Sequence, residues 1–303
     1  MLAFLLLTGA ATVEPSNRLM ASPAEVPVEA AAAEPPQQAQ FPKATLQPAA
    51  VKAPDIPFTD YEFQSEAQLL TLANQSRRQA GAPPLTLDAG LSQAARKHAL
   101  AMLSAQQLSH QFDGEPSLPI RLASTTQLQL DQEGENVALD YDAQHGHEHL
   151  MLSPPHRANL LNPAYNVIGL GVVRSGDRLY IVQDFGHALP NYSPAQVKER
   201  VVAAVNQTRL QASVAQLQRR DLPAADSDAC SMAQADKLGT APVRKLAERA
   251  TVLTYTSLHP ETLPAGALHA IASRTLHSFS VGACYSRTDT YPTGVYWVVL
   301  SLE

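Results

Sequence analysis

The sequence predicts an α+β fold in which helices come first and a β-hairpin comes last. Apolar residues recur at helical spacing over 65–80 and again after Asp88, whereas residues 167–185 read as two strands joined by a turn. The stretch from about 108 to 143 has no regular period and is interpreted as a long loop region. This order differs from the strand–helix alternation of parallel α/β proteins, so a layered α+β arrangement is expected.

The N-terminal part has the composition of an export signal followed by a spacer. Residues 1–13 hold an apolar run that is too short to span a bilayer but suits a secretory signal. No Lys or Arg precedes that run, so the true translation start and a merely disordered apolar tail stay open. Residues 14–59 contain nine prolines, which predicts a disordered, extended linker. We therefore expect a secreted, periplasmic or cell-envelope protein.

Composition argues against several classes of function. The chain has 22 Lys and Arg against 28 Asp and Glu, giving a net charge of −6, so a broad nucleic-acid-binding surface is not expected. Its two cysteines are too few for a disulfide-dense scaffold or a four-cysteine zinc site. No membrane span is expected either.

The first folded unit is predicted over residues 60–190 and begins with two helices. Ser65 with Gln68 is a candidate capping box for the first helix, and a Gly-Ala-Pro-Pro sequence after residue 80 ends it. Asp88 starts the second helix. The apolar stripe of that helix consists of Leu91, Ala94, Ala95, His98 and Met102.

Short motifs follow one another along this unit: Asn74-Gln-Ser-Arg77, Ser109-His110, Gly134-Glu135-Asn136, Ser153-Pro-Pro-His156-Arg157-Ala-Asn159 and Val182-Gln-Asp-Phe-Gly186. In this order and spacing they resemble the CAP superfamily, also called SCP-like or cysteine-rich secretory, antigen 5 and pathogenesis-related-1 domains, in its short bacterial form. The resemblance covers residues 61–186. It implies an α-β-α sandwich, an antiparallel sheet between helices, with a cleft lined by histidines and an acid.

By its motifs, the resemblance puts three cleft residues at His110, Glu135 and His156. Ser153 stands where many animal and plant members carry a second carboxylate, and Leu150 stands where the family usually has Trp, so the cleft wall is expected to differ. Structural roles that tie loop backbones together are expected for Asn74, Arg77, Asn136, Arg157 and Asn159. Ser153, which precedes Pro154, is expected to be a turn or helix-cap residue.

The residue types of the cleft allow two kinds of chemistry. Neutral imidazoles at His110 and His156 can bind a divalent metal such as Zn²⁺, with Glu135 as a further ligand or as the group that orients one ring. A His–Glu pair can instead act as a general base on water. The alternative is that these groups only hydrogen-bond loop backbones and hold the cleft together.

Two other arrangements are less favoured. Ser109 and Ser153 lie beside the histidines in sequence, but neither lies on a Gly-x-Ser-x-Gly elbow, so serine-type catalysis is not favoured. His145 and His149 would share one helix face, a spacing that binds a metal when a third ligand approaches. A solvated helix start is the preferred interpretation of that cluster.

Residues 193–303 are predicted to form a second, degenerate CAP-like unit. The matched segments are residues 74–80 with 206–212 (offset 132), 91–94 with 230–233 (offset 139) and Gly169 with Gly282 (offset 113). The offset falls between the second helix and the hairpin, so the second unit is shorter there. The cleft residues of the first unit lie in that interval, so this copy would keep the scaffold without the cleft. The competing interpretation is an unrelated α/β accessory domain.

The two cysteines are predicted to form a disulfide within this second unit. Cys230 falls on its predicted second helix and Cys284 on its first hairpin strand, elements that pack face to face in a sandwich. Two buried thiols are the alternative if the protein is cytosolic.

The preferred function is a binding module whose cleft takes a divalent cation or a small or lipid-like ligand, with a protein partner also open. The alternatives are a metal- or His/Glu-dependent hydrolase and an interaction protein with a vestigial cleft. Enzyme activity is left open, with binding preferred over catalysis.

Overall fold

The computed structural model describes residues 61–303, so the predicted signal (1–13) and linker (14–59) lie outside the described residues. The first unit contains, in chain order, α1 Phe63–Gln79, β1 Thr86–Leu87, α2 Ala89–Ala105, α3 Leu118–Ala123, β2 Leu130–Asp140, α4 Ala143–Leu152, α5 Pro154–Leu161, β3 Val167–Ser175 and β4 Arg178–Ala188. Within the described residues, no helix is long and apolar enough to cross a bilayer.

The four strands of this unit form one sheet in the order β1-β3-β4-β2. β4 pairs antiparallel with β3 and with β2, while the two-residue β1 pairs parallel with β3. β2 therefore lies at an edge of the sheet, where one side of the strand has no neighbouring strand.

Helices cover both faces of this sheet. The face that carries Ile168, Leu170 and Ile181 packs against α1, α4 and α5. The other face carries Val173 and Val182, which pack against the apolar stripe of α2. The predicted α-β-α sandwich is confirmed, because burial on two opposite faces requires two layers of helices.

The two predicted helices are present, with one error at the start of α1. The helix begins at Phe63 after Glu62, and no side chain caps it, so the predicted capping box at Ser65 is wrong. α2 begins as predicted, because the Asp88 Oδ1 atom accepts a hydrogen bond from Leu91 N at 2.8 Å.

The predicted loop region between residues 108 and 143 is wrong from residue 118 onwards. It contains α3 and the 11-residue strand β2. Glu135 and Asn136 consequently lie on a strand and not on the expected loop. His156 lies on α5. His110 does lie in an irregular segment, between α2 and α3.

The second unit repeats this architecture. Its elements are α6 Pro194–Gln211, β5 Gln218–Arg219, α7 Pro223–Gln234, α8 Arg244–Ala247, β6 Thr251–Ser257, α9 Ala265–Ile271, β7 Ser278–Ser286 and β8 Val295–Leu302. The strand order β5-β7-β8-β6 matches that of the first sheet, including the parallel pairing of its two-residue edge strand. α6 and α9 cover one face, and α7 covers the other.

The glycines on β3 and β7 correct the predicted alignment of the helices. A Cβ atom on Gly169 would lie 2.4 Å from Leu91 Cβ, and one on Gly282 would lie 2.1 Å from the Ala225 carbonyl oxygen. Leu91 of α2 therefore corresponds to Ala225 of α7, and not to Cys230 as the sequence alignment indicated.

The predicted disulfide is present. Cys230 on α7 is bonded to Cys284 on β7, with their Cα atoms 5.1 Å apart. It links the helical layer to the sheet within the second unit.

Candidate functional site

The Gly134-Glu135-Asn136 motif lies on the edge strand β2, and each of its three residues faces different neighbours. The Tyr165 hydroxyl lies 2.5 Å from the place of a Cβ atom at position 134 and donates to the Glu133 carbonyl at 3.0 Å. A Cβ atom at position 134 would therefore displace the Tyr165 hydroxyl. The two residues that follow point to opposite faces of the strand, as alternation requires.

Glu135 is held from two directions. One carboxylate oxygen, Oε1, lies 2.9 Å from Nδ1 of His110, and the other, Oε2, accepts from Nη2 of Arg121. Glu135 and Arg121 are both buried, whereas 57% of the His110 side chain is exposed. The carboxylate is thus fixed from behind by a buried guanidinium and presents its second oxygen to an imidazole at the surface.

Arg121 also joins a second buried group of charges behind the cleft. Its Nη1 atom lies 3.1 Å from Glu115 Oε1, and the ring of His98 bridges the Glu115 carboxylate at 2.7 Å and the Ser109 carbonyl at 2.8 Å. Burial raises the pKa of Glu115, but the hydrogen bond and charge of His98 and the charge of Arg121 outweigh it, so the net pKa is lowered. The loop that carries His110 is therefore anchored on charged groups beneath it.

Asp184 lies directly opposite Glu135 in the β2–β4 pair. Asp184 is 1% exposed, and its Oδ1 atom is buried with no hydrogen-bond partner among residues 61–303. Burial, and next the charge of Glu135, raise the pKa of Asp184 well above its usual range. Glu135 is the carboxylate that contacts both Arg121 and His110.

Asn136 faces the other helical layer and ties β2 to α5. Its Nδ2 atom donates to the His156 carbonyl at 3.0 Å, and Asn159 Nδ2 donates to Asn136 Oδ1 at 3.0 Å and to the Glu135 carbonyl at 3.2 Å. These bonds fix the first turn of α5, and with it His156, against the same edge strand that carries Glu135.

His110 and His156 are thereby brought to the same edge of the sheet from different layers. Burial lowers the pKa of His156, and the charge of His110 lowers it further, so the two rings are electrostatic neighbours. Within residues 61–303, no group of three or more His, Cys, Asp or Glu side chains is arranged to hold a metal ion. A cation between the two imidazoles would therefore take the rest of its coordination from water.

The residues expected to be structural make backbone contacts. Arg77 donates to four carbonyls, those of Pro83, Leu160, Asn162 and Tyr165. Asn74 exchanges two hydrogen bonds with the backbone of Leu85, and Arg157 donates to the Met151 carbonyl at 3.1 Å. Ser153 lies between α4 and α5 and makes no capping hydrogen bond with its side chain.

Among the described contacts, neither the Ser109 hydroxyl nor the histidines of α4 bond to His110, Glu135 or His156. The Ser109 hydroxyl donates to the Gln111 carbonyl at 2.7 Å. His145 and His149 are exposed and pair with two different carboxylates, those of Asp142 and Asp140. His147, which lies between them on α4, is buried.

Sequence reasoning missed four members of the cleft. It used His98 only as part of a helix stripe and assigned no role to Glu115, Arg121 or Asp184. The available signal was the polar pair Gln183 and Asp184 within a strand whose other residues, 179–182 and 185, are apolar or aromatic.

Known proteins resemble the first unit. The profile of the cysteine-rich secretory protein family, CAP, matches residues 70–185. The uncharacterized protein YkwD of Bacillus subtilis is 32% identical over 115 residues, which is 37% of this chain and 43% of that protein. The chain thus spans less than half the length of this curated relative.

Two solved structures overlap the same part of the chain. An extracellular protein containing a SCP domain from Bacillus anthracis is 27% identical, with a TM-score of 0.38 over 42% of this chain and 41% of that one. A cysteine-rich secretory protein from Staphylococcus aureus is 22% identical, with a TM-score of 0.34 over 43% of this chain and 41% of that one. The family profile, together with the helix-covered sheet, shows that residues 70–185 form a CAP domain.

Proposed function

We propose that the CAP domain is a binding module that takes a divalent cation at the imidazoles of His110 and His156. The observation that carries this proposal is the 2.9 Å contact between His110 Nδ1 and Glu135 Oε1. A carboxylate accepts hydrogen bonds, so the proton of a neutral ring resides on Nδ1 and the lone pair on Nε2. That nitrogen is the atom with which an oriented imidazole binds a metal ion.

The set of donor atoms favours a cation that exchanges with solvent over a metal ion that is permanently bound. Two imidazoles with water in the remaining positions resemble an open site, whereas structural zinc sites have four protein ligands. The exposure of His110 gives a ligand direct access from solvent. We therefore assign the cleft to ligand binding, with binding preferred over catalysis.

A location outside the cytoplasm is part of the proposal. Disulfides persist in oxidising compartments, and the second unit contains one between Cys230 and Cys284. One of the similar solved structures is described as an extracellular protein.

The test is isothermal titration of the full chain with ZnCl₂. The wild type should bind one equivalent, and the double variant His110→Ala/His156→Ala should not. The matched control is His145→Ala/His149→Ala, which removes two exposed histidines of α4 and should leave the binding unchanged. Equal binding by all three proteins, or none by the wild type, would refute the cation site.

A further inference from the structure

The second unit contacts the first at the segment that joins α3 to β2. Arg287, the residue after β7, donates from Nη1 to the Ala123 carbonyl at 2.9 Å and from Nη2 to the carbonyls of Thr126 at 2.9 Å and Leu128 at 3.3 Å. A guanidinium carries several donors in one rigid plane, so a single side chain fixes three carbonyls at once.

Two further hydrogen bonds extend this contact to the start of β2. Thr293 Oγ1 donates to the Leu130 carbonyl at 3.0 Å, and Gln129 Nε2 donates to the Gly294 carbonyl at 3.3 Å, both buried. Tyr285 holds the turn that presents these groups, because its hydroxyl donates to the Thr293 carbonyl at 3.1 Å. The two units therefore meet in a hydrogen-bonded interface, to which the second unit contributes an ordered turn.

The segment held in this way lies between two residues of the cleft. Arg121 precedes Ala123 by two positions on α3, and Glu135 follows Leu130 on β2. On its other side, Thr126 donates from Oγ1 to Asp88 Oδ1 at 3.0 Å, which ties the segment to the start of α2. Fixing this backbone from both sides fixes the place from which Arg121 reaches the Glu135 carboxylate.

The equivalent arginine of the first copy makes a different contact. By the offset that pairs Gly169 with Gly282, Arg287 corresponds to Arg174, which bonds Glu62 within its own unit. The contact with the α3–β2 segment is thus a property of the second copy alone.

We propose that Arg287 is a positioning residue for the cleft of the CAP domain. It fixes the α3–β2 segment, the segment fixes Arg121, and Arg121 holds the Glu135 carboxylate that sets the tautomer of His110. The degenerate copy is then a structural part of the binding site and not a separate appendage. This inference extends the proposed function, but its main measurement is independent of metal binding.

The experiment compares the full-length wild type with Arg287→Ala and with the milder Thr293→Val. The control is Arg220→Ala, which removes an exposed arginine of the second unit whose nearest carboxylate, on Glu303, is 3.9 Å away. Three quantities are measured at constant pH: amide hydrogen exchange over residues 121–135, the tautomer of the His110 ring from its ¹⁵N chemical shifts, and the affinity for Zn²⁺.

We expect Arg287→Ala to raise exchange over residues 123–130 by about tenfold, because charge-assisted hydrogen bonds are lost. The His110 ring should move from the Nδ1–H form towards a mixture of tautomers, and zinc affinity should fall by about threefold to tenfold. Thr293→Val should show smaller changes of the same kind, and the control should show none.

An unchanged His110 tautomer in Arg287→Ala, with or without faster exchange, would overturn the proposal. So would a wild-type ring that shows no preference for the Nδ1–H form. A wild type that keeps this tautomer but binds no zinc would refute the cation site alone, because the effect of Arg287 on the tautomer would still be measurable.

Discussion

Arg77 and Arg209 lie 132 residues apart and make equivalent contacts in the two copies. Arg77 Nε donates to the Pro83 carbonyl, and Arg209 Nε donates to the Ala215 carbonyl at the same offset. Each guanidinium then reaches carbonyls in the segment that precedes the β-hairpin of its own unit. Both side chains are buried, so each copy is built around one arginine that joins its first helix to that segment.

Replacement of Arg77 by Met should destabilise the CAP domain by about 3–5 kcal/mol, because several buried carbonyls lose their partner. Arg209→Met should have the same effect on the second unit.

The chain has one tryptophan, Trp297, which is buried in the second unit, so its fluorescence follows that unit during urea unfolding. Arg209→Met should shift the fluorescence transition, whereas Arg77→Met should shift mainly the far-UV circular dichroism. Identical shifts in both signals for both variants would contradict the claim that each arginine stabilises its own unit separately.

Gly169→Ala and Gly282→Ala should each destabilise their unit by about 2–3 kcal/mol, because the added methyl group overlaps the backbone of the packed helix. The new Cβ atoms would lie 2.2 Å from Leu91 C and 2.1 Å from Ala225 C. Gly239→Ala is the matched control, since nothing lies within 4 Å of its added Cβ atom. Thermal unfolding of the three variants checks this, and a neutral Gly282→Ala would argue against the helix alignment given above.

Removal of the disulfide by Cys230→Ser/Cys284→Ser should cost the second unit about 4 kcal/mol in the chain-entropy model. That cost follows from the 54-residue separation of the two cysteines. The Trp297 fluorescence transition should move to lower urea, and the CAP domain should unfold nearly as before. Two reactive thiols in native protein from an oxidising compartment would show that the bond is absent.

His147 should make stability depend on pH. It is buried, its Nε2 atom lies 2.8 Å from the Ser76 hydroxyl, and burial lowers its pKa. A histidine whose folded-state pKa is lowered contributes stability above its unfolded pKa of about 6.5, and this contribution is lost as the pH falls below that value. The unfolding free energy of the wild type minus that of His147→Gln should therefore be smaller at pH 5 than at pH 8. A difference that is constant or grows on acidification would contradict the buried, neutral ring.

Glu135→Gln should weaken zinc binding by about tenfold to a hundredfold, because the group that orients a ligating imidazole is altered. The amide also removes the charge that Arg121 and His110 share. Glu133→Gln is a suitable control, as Glu133 lies two residues away on the same strand and makes no hydrogen bond or ion pair with either cleft histidine among the described contacts. Titration with ZnCl₂ separates the two variants, and equal affinities would refute the orienting role.

The scaffold could be predicted from the sequence because its signals are local. The stripe of α2 recurs every three or four residues, and the hairpin strands flank a short turn at Gly176, so neighbouring residues suffice to identify them. The repeat also indicated the second unit. Its helix alignment failed because only the packing of Gly282 on Ala225 fixes that register.

The cleft could be predicted only in part. β2 was missed because an edge strand that carries a site is polar at several positions, including Glu133 and Glu135, and its alternation is hidden. Arg121 and Asp184 were missed because their roles depend on partners far away in sequence, which only the folded chain brings together. The residues that hold the Glu135 carboxylate in place are thus harder to recognise in the sequence than Glu135 itself.

The most direct test of the central claim is a zinc titration of the full chain followed by the ring ¹⁵N resonances of its histidines. We predict that the Nε2 resonances of His110 and His156 shift together and saturate at one equivalent, while those of His145 and His149 stay in place. Unchanged resonances of His110 and His156, or shifts confined to the α4 histidines, would contradict it.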